Sequence, residues 1–353
     1  MSWLTPDDQD DDREFGAWDE SDARVRPNPK GNRPRTKTRP EYEDAVTGRV
    51  LSVDRGRYTV LTGERADGKP GARERILTST RARELRDQAI VTGDRVDLVG
   101  DTSGAEGSLA RIVRIRPRTT LLRRSADDTD EIERIIVANA DQLMIVVAAA
   151  DPEPRARLVD RYLVAAYDAG IAPIMVITKT DLADPEPFLA NFAGLDIPVF
   201  RSAQDADGVT VAPIAELEPA LARHTTVAVG HSGVGKSTLV NALVPGTDRA
   251  VGIVNAVTGR GRHTSSSTVS LRVPSGGWII DTPGVRSFGL GHVDPDNILR
   301  SFTDLATVSA DCPRGCTHLP DAPDCALNEA VADGRLPAQR VDSLQRLLAT
   351  LAG

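Results

Sequence analysis

Thr225-Thr226-Val227-Ala228-Val229-Gly230-His231-Ser232-Gly233-Val234-Gly235-Lys236-Ser237-Thr238-Leu239 is the stretch on which the fold turns. Thr225 to Val229 can form a strand, a glycine-rich turn follows, and Ser237 to Leu243 continue as a helix-compatible run. Gly-x4-Gly-Lys-Ser between a strand and a helix is a phosphate-binding loop. Its glycines let backbone N–H groups close around a β-phosphate, and the new helix N-terminus adds partial positive charge. Lys236 is placed to bridge the β- and γ-phosphates, and Ser237 to offer its hydroxyl to Mg²⁺. The stretch predicts a nucleoside triphosphate site over Gly230 to Thr238.

Working outward, apolar strands and amphipathic helices alternate. The predicted strands are Leu143–Ala149, Ile174–Ile177, Val199–Phe200, Val227–Val229 and Trp278–Ile280, with a helix near Arg155–Ala169. That alternation predicts an α/β fold with a doubly wound, mostly parallel sheet, whose ligands sit at the carboxyl ends of the strands. Thr178-Lys179-Thr180-Asp181 stands at one such end, where the Asp181 carboxylate can accept two hydrogen bonds from the N1–H and exocyclic amine of guanine. Ser202 and Ala203, after the next strand, can support the guanine O6 from their backbone. Downstream, Gly259-Arg-Gly-Arg-His263-Thr264 lies in a polar segment, and Asp281-Thr-Pro-Gly284 ends the last strand. Asp281 is placed to hold Mg²⁺ through water, Thr264 to complete the metal's shell, and the Gly284 N–H to sense the γ-phosphate.

The 353 residues, 40% apolar, suffice for two or three cores. No apolar run approaches the length of a membrane span and the acidic start is no secretory signal, so a cytoplasmic protein is expected. Residues 1–44, acidic and then basic and proline-rich, read as a disordered tail. Although the net charge is −8, residues 46–124 carry 17 Lys and Arg against 10 Asp and Glu, a balance of +7. Short segments at Gly48–Val53, Arg57–Leu61, Ile90-Val91 and Arg95–Val99, separated by glycine-rich turns, predict a five-stranded OB-type barrel over 45–120. Tyr58 is the one aromatic of 46–124, so RNA contact by the barrel would be to phosphates or shape rather than by stacking. Residues 119–130 read as a polar linker into a nucleotide domain spanning 121–292.

Cys312-x3-Cys316-x-His318-x6-Cys325 lies within fourteen residues of the last segment, 293–353, between helical sequence at Asp296–Phe302 and Ala326–Leu351. Three thiolates and an imidazole predict one closed, tetrahedral, structural Zn²⁺ site.

In this chain the base-reading motif precedes the phosphate loop and Asp-Thr-Pro-Gly comes last, so the nucleotide domain reads as circularly permuted. With the amino-terminal barrel and the cysteine knuckle, this order resembles the bacterial ribosome small-subunit-dependent GTPase A family (RsgA, also called YjeQ), over about residues 45–351. The resemblance implies GTP hydrolysis stimulated by the small ribosomal subunit during its late assembly, rRNA as a partner, and a hydrolytic role for His263 beside Lys236. The position after the Asp-Thr-Pro-Gly motif is apolar, Val285, where many GTPases carry a water-positioning glutamine. The family's usual asparagine is Thr178 here, and with it a hydrogen bond to the phosphate loop is expected to be lost. The knuckle's x3 and x6 spacings differ from the commoner x4 and x5 while keeping the total span. Two other classes remain open: an RNA-binding protein in which GTP is a structural or regulatory ligand with negligible turnover, and a P-loop ATPase with an incidental Thr-Lys-Thr-Asp. A monomer meets every feature read here.

Overall fold

The computed structural model describes residues 42–125, 133–204, 210–211, 214–245, 268–282 and 288–351. His263, Thr264, Gly284 and Val285 lie outside them.

Five strands close the amino-terminal barrel: β1 (Val46–Asp54), β2 (Arg57–Thr62), β3 (Arg75–Arg81), β4 (Arg95–Gly100) and β5 (Ala110–Ile115). They follow the order β1-β2-β3-β5-β4, and β4 pairs back onto β1 with Val46 opposite Leu98. Val50, Val60, Leu77, Val96, Leu98 and Ile112 fill its interior. β3 and β5 are not among the predicted segments, and β3 is not legible as an apolar run. β3 reads Arg-Ile-Leu-Thr-Ser-Thr-Arg, with Leu77 and Ser79 inward and Ile76 and Thr78 outward, so a hydroxyl takes one of the core positions. Conversely, Ile90 and Val91 are buried but form no strand, because the Val91 N–H is taken by the Asp94 carboxylate at 2.8 Å.

The expected linker at 119–130 also differs. Leu121–Ser125 is a strand, β6, paired antiparallel with β7 (Glu133–Ala138). Leu122 is only 2% exposed within the main core; one well-placed leucine outweighs the polar average of the stretch.

The nucleotide domain then builds in order: β8 (Gln142–Ala148), α1 (Ala156–Asp168), β9 (Ala172–Thr178), α2 (Glu186–Leu189), β10 (Val199–Arg201), the short pair β11 (Ala203–Gln204) and β12 (Thr210–Val211), α3 (Ile214–Leu221), β13 (Thr225–Gly230), α4 (Lys236–Leu243), β14 (Val269–Arg272) and β15 (Trp278–Asp281). The sheet order is β10-β9-β8-β13-β15-β14, parallel throughout except for β14. Both faces are covered, so β8 is apolar at successive positions: Leu143, Ile145 and Val147 enter the core under α1, while Met144, Val146 and Ala148 enter the one under α3 and α4.

Four further helices follow, α5 (Pro295–Arg300), α6 (Thr303–Ser309), α7 (Ala326–Ala332) and α8 (Ala338–Ala349). α5 is capped by the Asp294 carboxylate, which accepts from the Asp296 N–H at 3.0 Å, with Pro295 in the first turn. The expected helix over 326–351 is broken in two, because Gly334 takes φ +70° and Pro337 follows. These helices do not form a separate core. Ile298, Phe302, Leu305, Cys325, Leu327, Val341 and Leu344 pack in the same cluster as Val147, Tyr162 and Leu163. Arg346 pairs with the buried Asp160 of α1 at 3.1 Å, and Arg340 pairs with Asp304 and donates to the Gly194 carbonyl at 2.9 Å. Among the described residues, no helix is long and apolar enough to cross a membrane.

Candidate nucleotide site and metal centre

Four parallel strands end side by side, and their carboxyl ends carry the candidate site. β13 delivers the phosphate loop between β8 and β15. Gly230 is required there, because a Cβ would stand 2.5 Å from the Val146 carbonyl oxygen of β8. Gly233 and Gly235 adopt φ +83° and +85°, which turns the chain back into α4. Val234 is buried and anchors the loop, whereas Ser232, Gly233, Ser237 and Thr238 are exposed at its mouth. His231 caps its own turn, its Nδ1 lying 2.9 Å from the Ser232 carbonyl. Lys236 forms an ion pair with Asp281, which is 1% exposed at the end of β15. Thr282, which the sequence reading passed over, is equally buried, and its hydroxyl donates to the Ala228 carbonyl at 3.1 Å. The motif's first two residues are thereby tied both to the loop lysine and to the strand beneath it.

At the end of β9, Thr178 is buried and its hydroxyl donates to the Val234 carbonyl at 2.5 Å, in the phosphate loop itself. The expected loss of that bond does not occur. A threonine hydroxyl, shorter than the asparagine amide, reaches the loop because Val234 presents its carbonyl toward β9. Lys179 adopts φ +57° and its ammonium donates to the Asp151 carbonyl. Thr180 donates from both its backbone N–H and its hydroxyl to the Ser202 carbonyl, each at 3.2 Å. Ser202 is held in turn by its N–H on the Ile177 carbonyl at 2.7 Å, and Ala203 opens β11 beyond it. Asp181 is exposed at the rim. The two segments expected to read a base are thus tied together through Ser202, and tied to the phosphate loop through Thr178.

The four candidate metal ligands also converge. Cys312 Sγ, Cys316 Sγ, Cys325 Sγ and a ring nitrogen of His318 all lie within 4.8 Å of one another. Cys312 Sγ is 3.6 Å from His318 Nδ1 and 4.0 Å from Cys325 Sγ, and Cys325 Sγ is 3.9 Å from the same nitrogen. Tetrahedral Zn–S and Zn–N bonds of about 2.3 and 2.1 Å give edges of roughly 3.5–3.8 Å, so the donor set fits such an ion. The x3 spacing is accommodated by Gly315 at φ +82°, and His318 itself turns at φ +57°. Burial pushes the Cys312 thiol up to about 11 and lowers the His318 imidazole. A central cation would reverse the first effect by taking the place of the thiol proton.

On the barrel, much of the basic excess is engaged internally. Arg118 forks onto the fully buried Asp94 at 2.7 and 2.9 Å, and Arg116 donates to Asp97 at 2.7 Å. Arg55, Arg57, Arg73, Arg75, Arg83 and Arg111 are exposed. Tyr58 is 5% exposed in the barrel core and presents no ring for stacking.

Comparison with known proteins matches this arrangement. The family profile described as RsgA GTPase matches residues 115–291. A protein of Ectopseudomonas mendocina described as "Small ribosomal subunit biogenesis GTPase RsgA" is 40% identical over 271 residues, covering 74% of this chain and 75% of its own length. One of the same description from Pseudomonas aeruginosa is 40% identical over 270 residues, covering 74% and 76%. Among solved structures, YjeQ from Thermotoga maritima superimposes with a TM-score of 0.63 at 25% identity, covering 88% of this chain and 99% of its own. YloQ, described as a circularly permuted GTPase, gives 0.61 at 25% identity, covering 87% and 95%.

Proposed function

The chain belongs to the RsgA GTPase family, and from that premise we propose that it hydrolyses GTP in a reaction stimulated by the small ribosomal subunit, as a monomeric cytoplasmic factor in that subunit's late assembly. The observation that carries the reading is the joining of Thr178 to the phosphate loop and of Thr180 to Ser202, which supports one continuous pocket for base and phosphates. Asp181 reads guanine at its rim, with Lys179 alongside and Ser202 and Ala203 behind. Gly230 to Thr238 bind the phosphates. Ser237, Asp281 and Thr264 would hold Mg²⁺, which neutralises charge on the β- and γ-phosphate oxygens when bound with GTP. Lys236 adds a fixed positive charge, the Gly284 N–H reports the γ-phosphate, and His263 orients the hydrolytic water once the subunit places its segment.

Cys312, Cys316, His318 and Cys325 hold one Zn²⁺, whose role is structural because four protein donors leave no open position. The parts divide as a tail (1–44), a barrel facing rRNA (45–120), the nucleotide domain (121–292) and the zinc-bearing helices (293–353). Co-sedimentation with purified ribosomal subunits tests the assignment. Pelleting with the small subunit should be favoured by a non-hydrolysable GTP analogue over GDP. Equal pelleting with both subunits, whatever the nucleotide, would contradict it.

A further inference from the structure

Two acidic side chains of the barrel reach the hairpin that carries the phosphate-sensing sequence. Glu64, just beyond β2, accepts from the Trp278 indole N–H at 2.7 Å. The same carboxylate, 7% exposed, is paired with Arg49 at 3.2 Å and with Arg95. The Arg49 guanidinium lies 5.4 Å from the Trp278 ring centroid and donates to the Thr225 hydroxyl at 3.2 Å, at the start of β13. Ten residues beyond Glu64, Glu74 takes Arg272 of β14 through two hydrogen bonds of 2.8 Å, and that guanidinium lies 4.6 Å from the same indole. Burial alone would raise the Glu64 carboxyl, but Arg49, Arg95 and the indole N–H hold it below its ordinary range, so it remains an anion at neutral pH.

The turn of the hairpin is fitted just as closely. Gly276 and Gly277 adopt φ +96° and +106°, and a Cβ on the barrel's Gly68 would stand 2.7 Å from the Gly277 nitrogen. Near the other end of β14, Ser52 of β1 pairs with Val269, and the Thr92 hydroxyl donates to the Thr268 carbonyl at 3.3 Å. Trp278 opens β15 and Asp281 closes it, with only the fully buried Ile279 and Ile280 between them.

We propose that Glu64 and Glu74 are positioning residues for the nucleotide reaction: they latch the β14–β15 hairpin to the barrel and so fix where Asp281 and Thr282 stand against Lys236 and the phosphate loop. The ladder to β13 sets the register of β15, and the latch sets its tilt. Tilt matters because charges acting on a transferring phosphoryl group must be held to about half an ångström, and a displacement of about 1 Å can cost a hundredfold in rate. Any ligand that shifts the barrel thereby acts on the nucleotide site, and the coupling runs equally in reverse. The inference rests on reading the site as one that hydrolyses GTP.

The test compares the full-length chain with Trp278→Phe, which keeps the ring but loses the N–H, with Glu64→Ala and with the double variant. GDP affinity, affinity for a non-hydrolysable GTP analogue, kcat for GTP and the melting temperature are measured for each. Trp278→Phe should lower kcat and the preference for the GTP analogue about threefold to tenfold while GDP affinity stays within about twofold, a range typical of coupling residues. The double variant should lose no more than the worse single one, because both remove the same contact. Should Glu64→Ala fail to fold, with Arg49 and Arg95 left unpaired, Glu74→Gln, which frees Arg272 instead, takes its place as a single variant only and should show the same split. Folded variants with unchanged kcat and preference, or losses that multiply in the double variant, would overturn the latch. An unsubstituted chain that binds no GDP and turns over no GTP would instead remove the functional reading beneath it.

Discussion

Thr178 shows how much one hydroxyl can decide. It is buried, and its short bond to the Val234 carbonyl links the end of β9 to the phosphate loop. Thr178→Val keeps the shape and removes the donor, leaving a buried carbonyl unsatisfied at a cost of about 1–3 kcal/mol. GDP affinity, titrated with a fluorescent GDP analogue, should therefore fall by about tenfold or more in Thr178→Val and by much less in Thr178→Asn, whose amide can still donate. Equal affinity in all three proteins would dismiss the link. Asp181 is tested by exchange of specificity. Asp181→Asn should lose about 2–4 kcal/mol of GTP binding, the scale of a charged bidentate contact, and gain affinity for xanthosine triphosphate, whose O2 the amide can meet. Unchanged GTP affinity would remove Asp181 from the pocket. The residue types and spacing of these motifs were legible in the sequence. The reach of Thr178 was not, because it depends on where the loop turns Val234, and no residue's identity states that.

Elements were legible where burial is two-sided or a cap is explicit. β8 is apolar at consecutive positions because both faces are covered, and α5 announces itself by Asp294-Pro295. β3 was hidden by Ser79 in a core position, where its hydroxyl donates to the Tyr58 carbonyl at 3.2 Å, and β6 by the arginines beside Leu122. The candidate metal centre was visible as a ligand pattern, but the packing of its frame was not. Cys325 is 1% exposed and α7 begins at the next residue, inside the core shared with α1 and β8. Apparent zinc-binding free energies are on the order of 10 kcal/mol and count toward folding. Metal analysis should find one zinc per chain. Cys316→Ser should lose it and show lower melting of the whole nucleotide unit, not of the knuckle alone, while GDP still binds at low temperature. A metal-free wild type, or a variant that melts as the wild type does, would contradict this.

Across the whole molecule, the permuted order places β15 last in the nucleotide domain, and the next described residues, from Phe288 on, lead into helices that pack on the face of α1. Phe288, fully buried, meets Tyr162 of α1 edge to face at 5.7 Å, and Asp168 at the end of α1 accepts from the Asn297 side chain at 2.8 Å and the Asp294 N–H at 3.1 Å. On the other side, the same hairpin is held by the barrel. The motif order was readable from sequence alone. The attachments were not, since Glu64 and Trp278 are 214 residues apart and no periodicity relates them. On the proposed function, this framework hydrolyses GTP in response to the small ribosomal subunit. Phosphate release from GTP and from ATP, with and without purified small subunits, tests it most directly. Release from GTP alone should be slow and strongly stimulated by small subunits, turnover should be lost in Lys236→Ala, and ATP should give no stimulated release. Equal release from both nucleotides, or GTP turnover indifferent to the subunit, would contradict it.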